Sequence, residues 1–132
     1  MKRTCKAIAI AFTMVAGTIG AHSALSPYFR VELSPVLARG IASWYGREFQ
    51  GKEMAMGTPY DMYKLTCANR TLPLGSQIKV TNLENGRCLF LRVTDRGPFY
   101  PHRILDVSYA AAKALGFAGA GLARVQIQMV RR

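Results

Sequence analysis

Carboxylates are scarce in this chain, so each Asp or Glu is a candidate for chemistry. Its 132 residues include 7 Asp plus Glu against 18 Lys plus Arg. Asp95 lies in the segment VTDRGPF, at the end of an apolar run. Counting back from it by two gives Val93, Leu91 and Leu89, and alternate residues of a strand share one face. The pattern therefore places Asp95 on an apolar face, at the end where a barrel would open.

The chemistry suggested for Asp95 is proton transfer. A carboxyl group partly withdrawn from water suits general acid catalysis, because burial disfavours its charged form. The alternative is a structural role, in which Asp95 pairs with Arg96 or Arg103 or caps a turn. The residues alone leave both roles open.

Aromatic residues cluster in the sequence near polar loops. They are Trp44, Tyr45, Phe49, Tyr60, Tyr63, Phe99 and Tyr100. Sugar rings have apolar C–H faces that stack on aromatic rings, so an aromatic groove beside an acid would suit a polysaccharide. The alternative for each ring is a place in the core or at its rim. No Gly-x-Ser-x-Gly, phosphate-cradling loop or metal-ligand set is present, so no metal and no cofactor are expected.

The net charge of +11 favours anionic partners. A basic surface can simply be soluble, or it can attract a polyanion such as nucleic acid, lipid headgroups or an anionic cell wall. Nucleic acid is not expected, because the sequence has no Arg/Lys-rich helix and no stripe of alternating basic and aromatic residues.

The first 25 residues have the organisation of a secretory signal. Basic residues come first, and an uncharged run follows over 7–21 that is shorter than the roughly 20 residues needed to span a bilayer. Small residues at Ala21, Ser23 and Ala24 suit a signal peptidase. We therefore expect residues 1–25 to be cleaved and the protein to be exported to the periplasm or cell envelope, with an uncleaved anchor as the alternative. Cys5 precedes the apolar run, so a lipoprotein is not expected.

Most of the remaining sequence has strand patterns. Residues 26–38 contain Pro27 and Pro35 without a clear period, which predicts a linker or a loosely docked arm before a domain over 39–132. Strands are predicted over 41–45, 77–83, 87–95 and 122–130, and the Asn-Gly turn between the second and third makes them a hairpin. One helix is predicted over Tyr109–Leu115, capped by Ser108 and ended by Gly116. Short strands, glycine-rich corners and one helix favour a small closed barrel.

Two cysteines follow the signal region. Cys67 and Cys88 could pair in an oxidising compartment. Cys88 lies in an apolar strand pattern, however, and a buried free thiol is equally ordinary. Both alternatives stay open.

Five blocks of sequence resemble a known family. They are GIASWYG at 40–46, GTPYDMYKLTCANRTLPLG at 57–75, VTNLENGR at 80–87, VTDRGPF at 93–99 and RILDVSYAAAKALG at 103–116. Their order is similar to that of the RlpA-like family of septal-ring lytic transglycosylases, over about residues 39–130. The resemblance implies a mainly β fold, a small six-stranded double-psi β-barrel with one or two short helices, related to expansins and barwin.

The resemblance also implies a reaction and a partner. Family members cleave the β-1,4 bond between N-acetylmuramic acid and N-acetylglucosamine in peptidoglycan, and the muramoyl C6 hydroxyl forms a 1,6-anhydro end. Asp95 matches the family's Asp and is expected to act as general acid and base. Peptidoglycan glycan strands are the expected partner of a monomer, with cell-division or wall-synthesis proteins as further partners.

Two positions depart from the family pattern. Thr58 stands where the family usually has Glu, and Asn69 where it usually has His. We expect both to support Asp95 by hydrogen bonding, since neither side chain transfers protons near neutral pH. The groove is expected to be shaped by Trp44, Tyr45, Tyr60, Arg96 and Phe99. The alternative function is a non-catalytic, expansin-like module that binds peptidoglycan or another polysaccharide.

Overall fold

A computed structural model describes residues 31–131 of the chain. The predicted signal peptide and the first part of the predicted linker lie outside the described residues. Within the described range no helix is long and apolar enough to cross a membrane. In chain order the elements are β1 (Glu32–Leu33), β2 (Ala38–Trp44), a 3₁₀ helix (Arg47–Phe49), β3 (Thr66–Ala68), β4 (Gln77–Asn82), β5 (Cys88–Asp95), β6 (Arg103–Val107), α1 (Tyr109–Leu115) and β7 (Ala123–Arg131).

Six of the strands close into a barrel. Their order is β7-β2-β6-β3-β5-β4, and β4 pairs back with β7 to complete the ring. The pairs β2–β6 and β3–β5 are parallel, and the other pairs within the ring are antiparallel. The predicted mainly β, six-stranded closed barrel is therefore confirmed.

The barrel interior is filled by one face of each long strand. In β4 and β7 burial alternates, as the period of a strand requires. The largest buried aliphatic side chains of the barrel strands come from four of them: Ile78, Val80, Leu91, Val93, Leu105, Val107, Val125 and Ile127. Burying each of them contributes roughly 1.5–3 kcal/mol relative to exposure.

Helix α1 begins and ends as predicted. The Ser108 hydroxyl oxygen accepts a hydrogen bond from the Ala111 N–H at 3.2 Å, which caps the N-terminus. Gly116 follows the last turn with φ of 81°, a conformation that favours glycine. The helix buries Ala111, Ala112 and Leu115 against the barrel.

Two strands of the ring, β3 and β6, were not predicted. β3 has only three residues, and β6 (Arg103–Val107) ends with three consecutive buried residues. A strand that is covered on both faces shows no alternation of polar and apolar residues. These two strands therefore lacked the signal that identified the others.

The described part of the predicted linker is docked on the barrel. Glu32 pairs with Arg131 and Leu33 with Val130, so β1 lies antiparallel beside the last residues of β7. Ser34 adds a backbone hydrogen bond of 2.8 Å from its N–H to the Met129 carbonyl. From residue 31 onward this segment is thus a docked arm rather than a free linker.

The two cysteines do not form a disulfide with each other. Cys67 is a buried free thiol on β3. Its register partner on the parallel strand β5 is Val93, five residues beyond Cys88. Five residues of strand span about 16 Å, whereas a disulfide needs Cα atoms within about 7 Å. This geometry excludes a Cys67–Cys88 disulfide and corrects that alternative.

The buried thiol predicts a loss of stability at alkaline pH. Burial raises the pKa of Cys67 above its ordinary value of 9.0, so the folded protein keeps a proton that the unfolded chain releases. The free energy of unfolding should therefore fall as the pH rises above about 9, by up to about 1.4 kcal/mol per pH unit. Urea unfolding midpoints measured from about pH 7 to pH 10 test this.

Cys67→Ala provides the comparison for this titration. The variant should be less stable than the parent at neutral pH, because a buried side chain is shortened, yet its stability should change little between about pH 8 and 9.5. An unchanged slope in the variant would assign the alkaline loss to other groups. Burial also raises the pKa values of Tyr45 and Tyr60 above 10.0. These two phenols therefore lower the free energy of unfolding only at higher pH than Cys67 does.

Candidate active site

Asp95 lies at the end of β5, where the strand pairing is irregular. Cys67 is opposite Val93, but the next residue of β3, Ala68, is opposite Asp95, so Thr94 is an extra residue in the pairing. Val93 and Thr94 are both buried and Asp95 is half-buried. The predicted alternation therefore holds as far as Val93 and is broken by this bulge, a feature that re-aims side chains beside functional sites.

The Asp95 carboxylate is held by backbone groups and, among the described residues, forms no ion pair. Its Oδ1 accepts hydrogen bonds from the N–H groups of Ala55 at 2.9 Å and Arg96 at 2.8 Å. Its Oδ2 faces the Tyr45 hydroxyl at 3.5 Å. Among residues 31–131 the only salt bridge joins Arg103 to Asp106. The predicted ion pair with Arg96 or Arg103 is therefore wrong, whereas the predicted capping of a turn is confirmed, because Oδ1 accepts the Ala55 N–H.

The two arginines beside Asp95 are engaged elsewhere. Arg96 donates from Nη1 to the carbonyls of Leu72 at 2.6 Å and Asn69 at 3.2 Å. Arg103 donates from Nη2 to both carboxylate oxygens of Asp106, at 3.0 and 3.2 Å. Both guanidinium groups therefore stabilise the walls of the site and leave the Asp95 Oδ2 without a cationic partner.

Tyr45 is a neutral hydrogen-bond donor beside the acid. Burial raises the pKa of its phenol far above 10.0, and the nearby carboxylates of Asp95 and Asp106 raise it further. Its ring packs against Phe49 at 5.4 Å and against Tyr60 at 5.3 Å between centroids. The hydroxyl therefore stays protonated at any working pH and can stabilise a charged Asp95.

Asp95 lines two neighbouring cavities. The larger one has a volume of about 670 Å³, and its lining includes Trp44, Tyr45, Asp95, Arg96, Phe99 and Asp106. The smaller one, of about 130 Å³, is lined by Tyr60 and Lys52 among others. Both are lined by Tyr45, Phe49 and Asp95, so together they form a groove with the acid at the junction. We call these the main cavity and the side cavity of the groove.

The predicted groove residues divide into exposed and supporting ones. Phe99 is 79% exposed at the rim of the main cavity. Trp44 lines that cavity but is anchored, since its Nε1 donates to the Ala118 carbonyl at 3.2 Å and its ring contacts Tyr109. Tyr60 is buried and donates its hydroxyl to the Tyr45 carbonyl at 3.2 Å, so it mainly supports Tyr45.

Thr58 does not reach the groove. It is exposed and lines a separate cavity of about 410 Å³, together with Lys64 and Arg92, to which Asp95 does not contribute. Its carbonyl accepts the Met54 N–H at 2.9 Å, within the turn that supplies the Ala55 N–H to Asp95. The Thr58 side chain therefore forms no hydrogen bond with Asp95 within the described residues, and the two residues are linked only through the backbone hydrogen bonds of this turn.

Asn69 is a buried positioning residue. Its Oδ1 accepts hydrogen bonds from the N–H groups of Thr71 and Leu72, both at 2.9 Å, and its Nδ2 donates to the Ile104 carbonyl at 3.1 Å. Its own N–H donates to the Asp95 carbonyl at 3.1 Å. The side chain therefore shapes the loop that holds Arg96 and does not itself line the groove.

Replacing Asn69 by Ala should destabilise this loop. Three hydrogen bonds are lost and two N–H groups lose their acceptor, which predicts a loss of roughly 2–3 kcal/mol in the free energy of unfolding. Urea denaturation of the parent and of Asn69→Ala measures it. Asn69→Asp keeps the acceptor oxygen and should lose less. Equal stability of Asn69→Ala and the parent would contradict the positioning role.

Sequence reasoning missed two acidic groove residues, Asp106 and Glu48. Asp106 is buried and accepts hydrogen bonds from the Ser43 hydroxyl and from Arg103. A lone acid within the apolar run Ile104–Val107 is the same signal that singled out Asp95, and it could have identified Asp106. Glu48 and Tyr100 also line the main cavity. Residues 31–131 contain no group of three His, Cys, Asp or Glu side chains placed to hold a metal ion.

Comparison with solved structures finds the same barrel in other proteins. The Streptomyces papain inhibitor matches with a TM-score of 0.57 and 25% identity, over 74% of this chain and 98% of the inhibitor. An expansin of Clavibacter michiganensis matches with a TM-score of 0.56 and 23% identity, over 70% of this chain and 50% of the expansin. These likenesses support the predicted double-psi β-barrel.

Comparison of sequences identifies the family. The endolytic peptidoglycan transglycosylase RlpA of Pseudomonas aeruginosa is 54% identical over 89 residues, which are 67% of this chain and 26% of that protein. RlpA of Vibrio cholerae is 50% identical over 91 residues, 69% of this chain and 35% of that protein. The chain thus spans about a quarter to a third of these relatives. A family profile described as lytic transglycolase matches residues 37–127, and the chain therefore belongs to the RlpA-like family of lytic transglycolases.

Proposed function

We propose that this barrel is the catalytic domain of an exported lytic transglycosylase that cleaves peptidoglycan. The observation that carries the proposal is Asp95, a carboxylate that has no ion pair within residues 31–131 and lines both cavities of an aromatic groove. Relatives about half identical over the same domain are named endolytic peptidoglycan transglycosylases.

The reaction assigns Asp95 two consecutive roles. As a carboxylic acid it gives its proton, from Oδ2, to the oxygen that links N-acetylmuramic acid to N-acetylglucosamine, and the bond from that oxygen to the muramoyl anomeric carbon breaks. As a carboxylate it then accepts the proton of the muramoyl C6 hydroxyl, whose oxygen bonds to the same carbon. No water is consumed, so one carboxyl group serves where hydrolysis uses two.

The surroundings of Asp95 suit both roles. Two N–H donors fix Oδ1, so Oδ2 is the oxygen directed at the proton in transit. The neutral Tyr45 hydroxyl stabilises the carboxylate formed in the first step. The half-buried position excludes part of the water that would compete with the C6 hydroxyl.

The shape of the groove favours attack within a glycan chain. Asp95 lines both the main cavity and the side cavity, so we infer that sugars bind on both sides of the cleaved bond. The exposed rings of Phe99 and Tyr100 at the main cavity supply stacking surfaces. This arrangement favours endolytic cleavage. We further propose that the protein acts as a monomer in the cell envelope, with wall-synthesis or division proteins as partners.

Digestion of purified sacculi tests the function. The protein should release fragments that carry 1,6-anhydro-N-acetylmuramic acid, identified by mass spectrometry. Reducing ends in their place would indicate hydrolysis and contradict the proposal. Binding to sacculi without new ends would instead favour the non-catalytic, expansin-like module.

A further inference from the structure

Glu48 is a carboxylate in the main cavity that no part of the mechanism uses. It lies in the exposed 3₁₀ helix Arg47–Phe49 and lines the main cavity together with Asp95. Within the described part of the chain, it forms no hydrogen bond through its side chain and no salt bridge. A partnerless carboxylate in a binding groove is available to a ligand.

The direction of the Glu48 side chain depends on Gly46. A Cβ atom added at Gly46 would lie 2.1 Å from Glu48 Oε2 and 2.6 Å from Oε1. The carboxylate therefore folds back over Gly46 and occupies space that any other residue at this position would fill. Gly46 has φ of −82°, which other residues also adopt. Glycine is therefore required by the closeness of the Glu48 carboxylate and not by the backbone conformation.

The charges of the main cavity are not balanced. Its lining contains the carboxylates of Glu48, Asp95 and Asp106 and the guanidinium groups of Arg96 and Arg103. Arg103 is paired with Asp106, whereas Arg96 donates to backbone carbonyls. Neither arginine pairs with Glu48 or Asp95, so both carboxylates are open to a ligand that carries a positive charge.

Aromatic rings beside Glu48 suit the same ligand. The Lys52 ammonium lies 5.2 Å from the centroid of the Phe49 ring, so this ring already attracts a cation, which a ligand ammonium group would replace. A cation over an aromatic face is stabilised by about 0.5–1 kcal/mol at exposed sites. Phe49 follows Glu48 directly and lines both cavities.

We propose that Glu48 is a specificity residue that binds the free C2 ammonium group of a de-N-acetylated amino sugar in the glycan. The inference rests on the proposed function, because it takes the ligand to be a β-1,4-linked chain of 2-amino sugars. An acetylated nitrogen offers Glu48 one neutral N–H donor, whereas the free ammonium group offers a charge-assisted hydrogen bond, which is stronger. Partly de-N-acetylated glycan should therefore bind more tightly than fully acetylated glycan.

Calorimetric titration with two tetrasaccharides tests the preference. The probes are the β-1,4-linked tetramers of glucosamine and of N-acetylglucosamine, at low ionic strength and a pH at which the amine is charged. The parent should bind the glucosamine tetramer about fivefold more tightly, as expected for a partly screened ion pair. Glu48→Gln should abolish the difference without weakening binding of the acetylated tetramer by a similar factor.

Two further variants separate the contact from general charge effects. Glu32→Gln removes the same charge from exposed strand β1, outside the groove, and should keep the preference. Gly46→Ala keeps the charge but displaces the carboxylate, and should lose the preference as Glu48→Gln does. Equal binding of both tetramers to the parent, or equal effects of Glu32→Gln and Glu48→Gln, would overturn the inference. Binding needs no turnover. If the parent shows this preference but forms no 1,6-anhydro products from sacculi, the proposed reaction is contradicted while the inference about Glu48 stands.

Discussion

Asp95→Asn should abolish the formation of 1,6-anhydro ends from purified sacculi. General acid–base catalysis contributes about 10²–10⁴-fold, and here one group performs both proton transfers. An amide can neither donate a proton to the leaving oxygen nor accept one from the C6 hydroxyl. The rate of product formation, followed by mass spectrometry, should therefore fall by at least about a hundredfold.

Asp95→Asn should leave the fold and the groove intact. The amide oxygen of Asn can still accept the N–H groups of Ala55 and Arg96, so the urea midpoint should stay close to that of the parent. Binding of sacculi should persist, since the aromatic walls are unchanged. Glu84→Gln removes a carboxylate outside the groove and should leave product formation as it is in the parent. A folded Asp95→Asn protein that still forms the products at the parental rate would exclude Asp95 as the acid and base.

Local signals in the sequence were enough for several features. Helix α1 has both of its predicted ends, because the Ser108 cap and Gly116 act within one turn of the backbone. The hairpin of β4 and β5 follows from alternation and an Asn-Gly turn, and its pairing is as expected. Asp95 was identified because a lone acid at the end of an apolar run is unusual.

Other features depend on contacts that a linear pattern does not contain. The bulge at Thr94 arises from the pairing of β5 with β3, a strand too short to be recognised. Thr58 was expected to support Asp95, but the turn that precedes it leaves it at a different cavity. Arg96 adjoins Asp95 in sequence, yet its guanidinium group points to carbonyls at 69 and 72. Neighbours in sequence were thus a poor guide to partners in the site.

Asp106 is the second position at which a single change should have a large effect. Its carboxylate is the acceptor for Arg103 Nη2 and for the Ser43 hydroxyl, and the neighbouring Arg103 Nε is already buried without a partner. Asp106→Ala would leave a partly buried guanidinium group uncompensated. Removing one member of a buried pair costs about 3–5 kcal/mol, and because Arg103 is partly exposed we expect the lower end, about 3 kcal/mol.

A double-mutant cycle separates the ion pair from other effects of Asp106. Arg103→Met removes the charge but keeps an apolar stem against the Tyr100 ring, over which the guanidinium group lies at 4.4 Å. If the cost of Asp106→Ala comes from the uncompensated charge, the double variant should be more stable than the sum of the single effects predicts, by about 2 kcal/mol. Urea denaturation of the four proteins measures this difference, and strict additivity would assign the loss to packing and to the hydrogen bond from Ser43. Because Asp106 also lines the main cavity, product formation compared at equal folded fraction then shows whether this carboxylate serves the reaction as well as the fold.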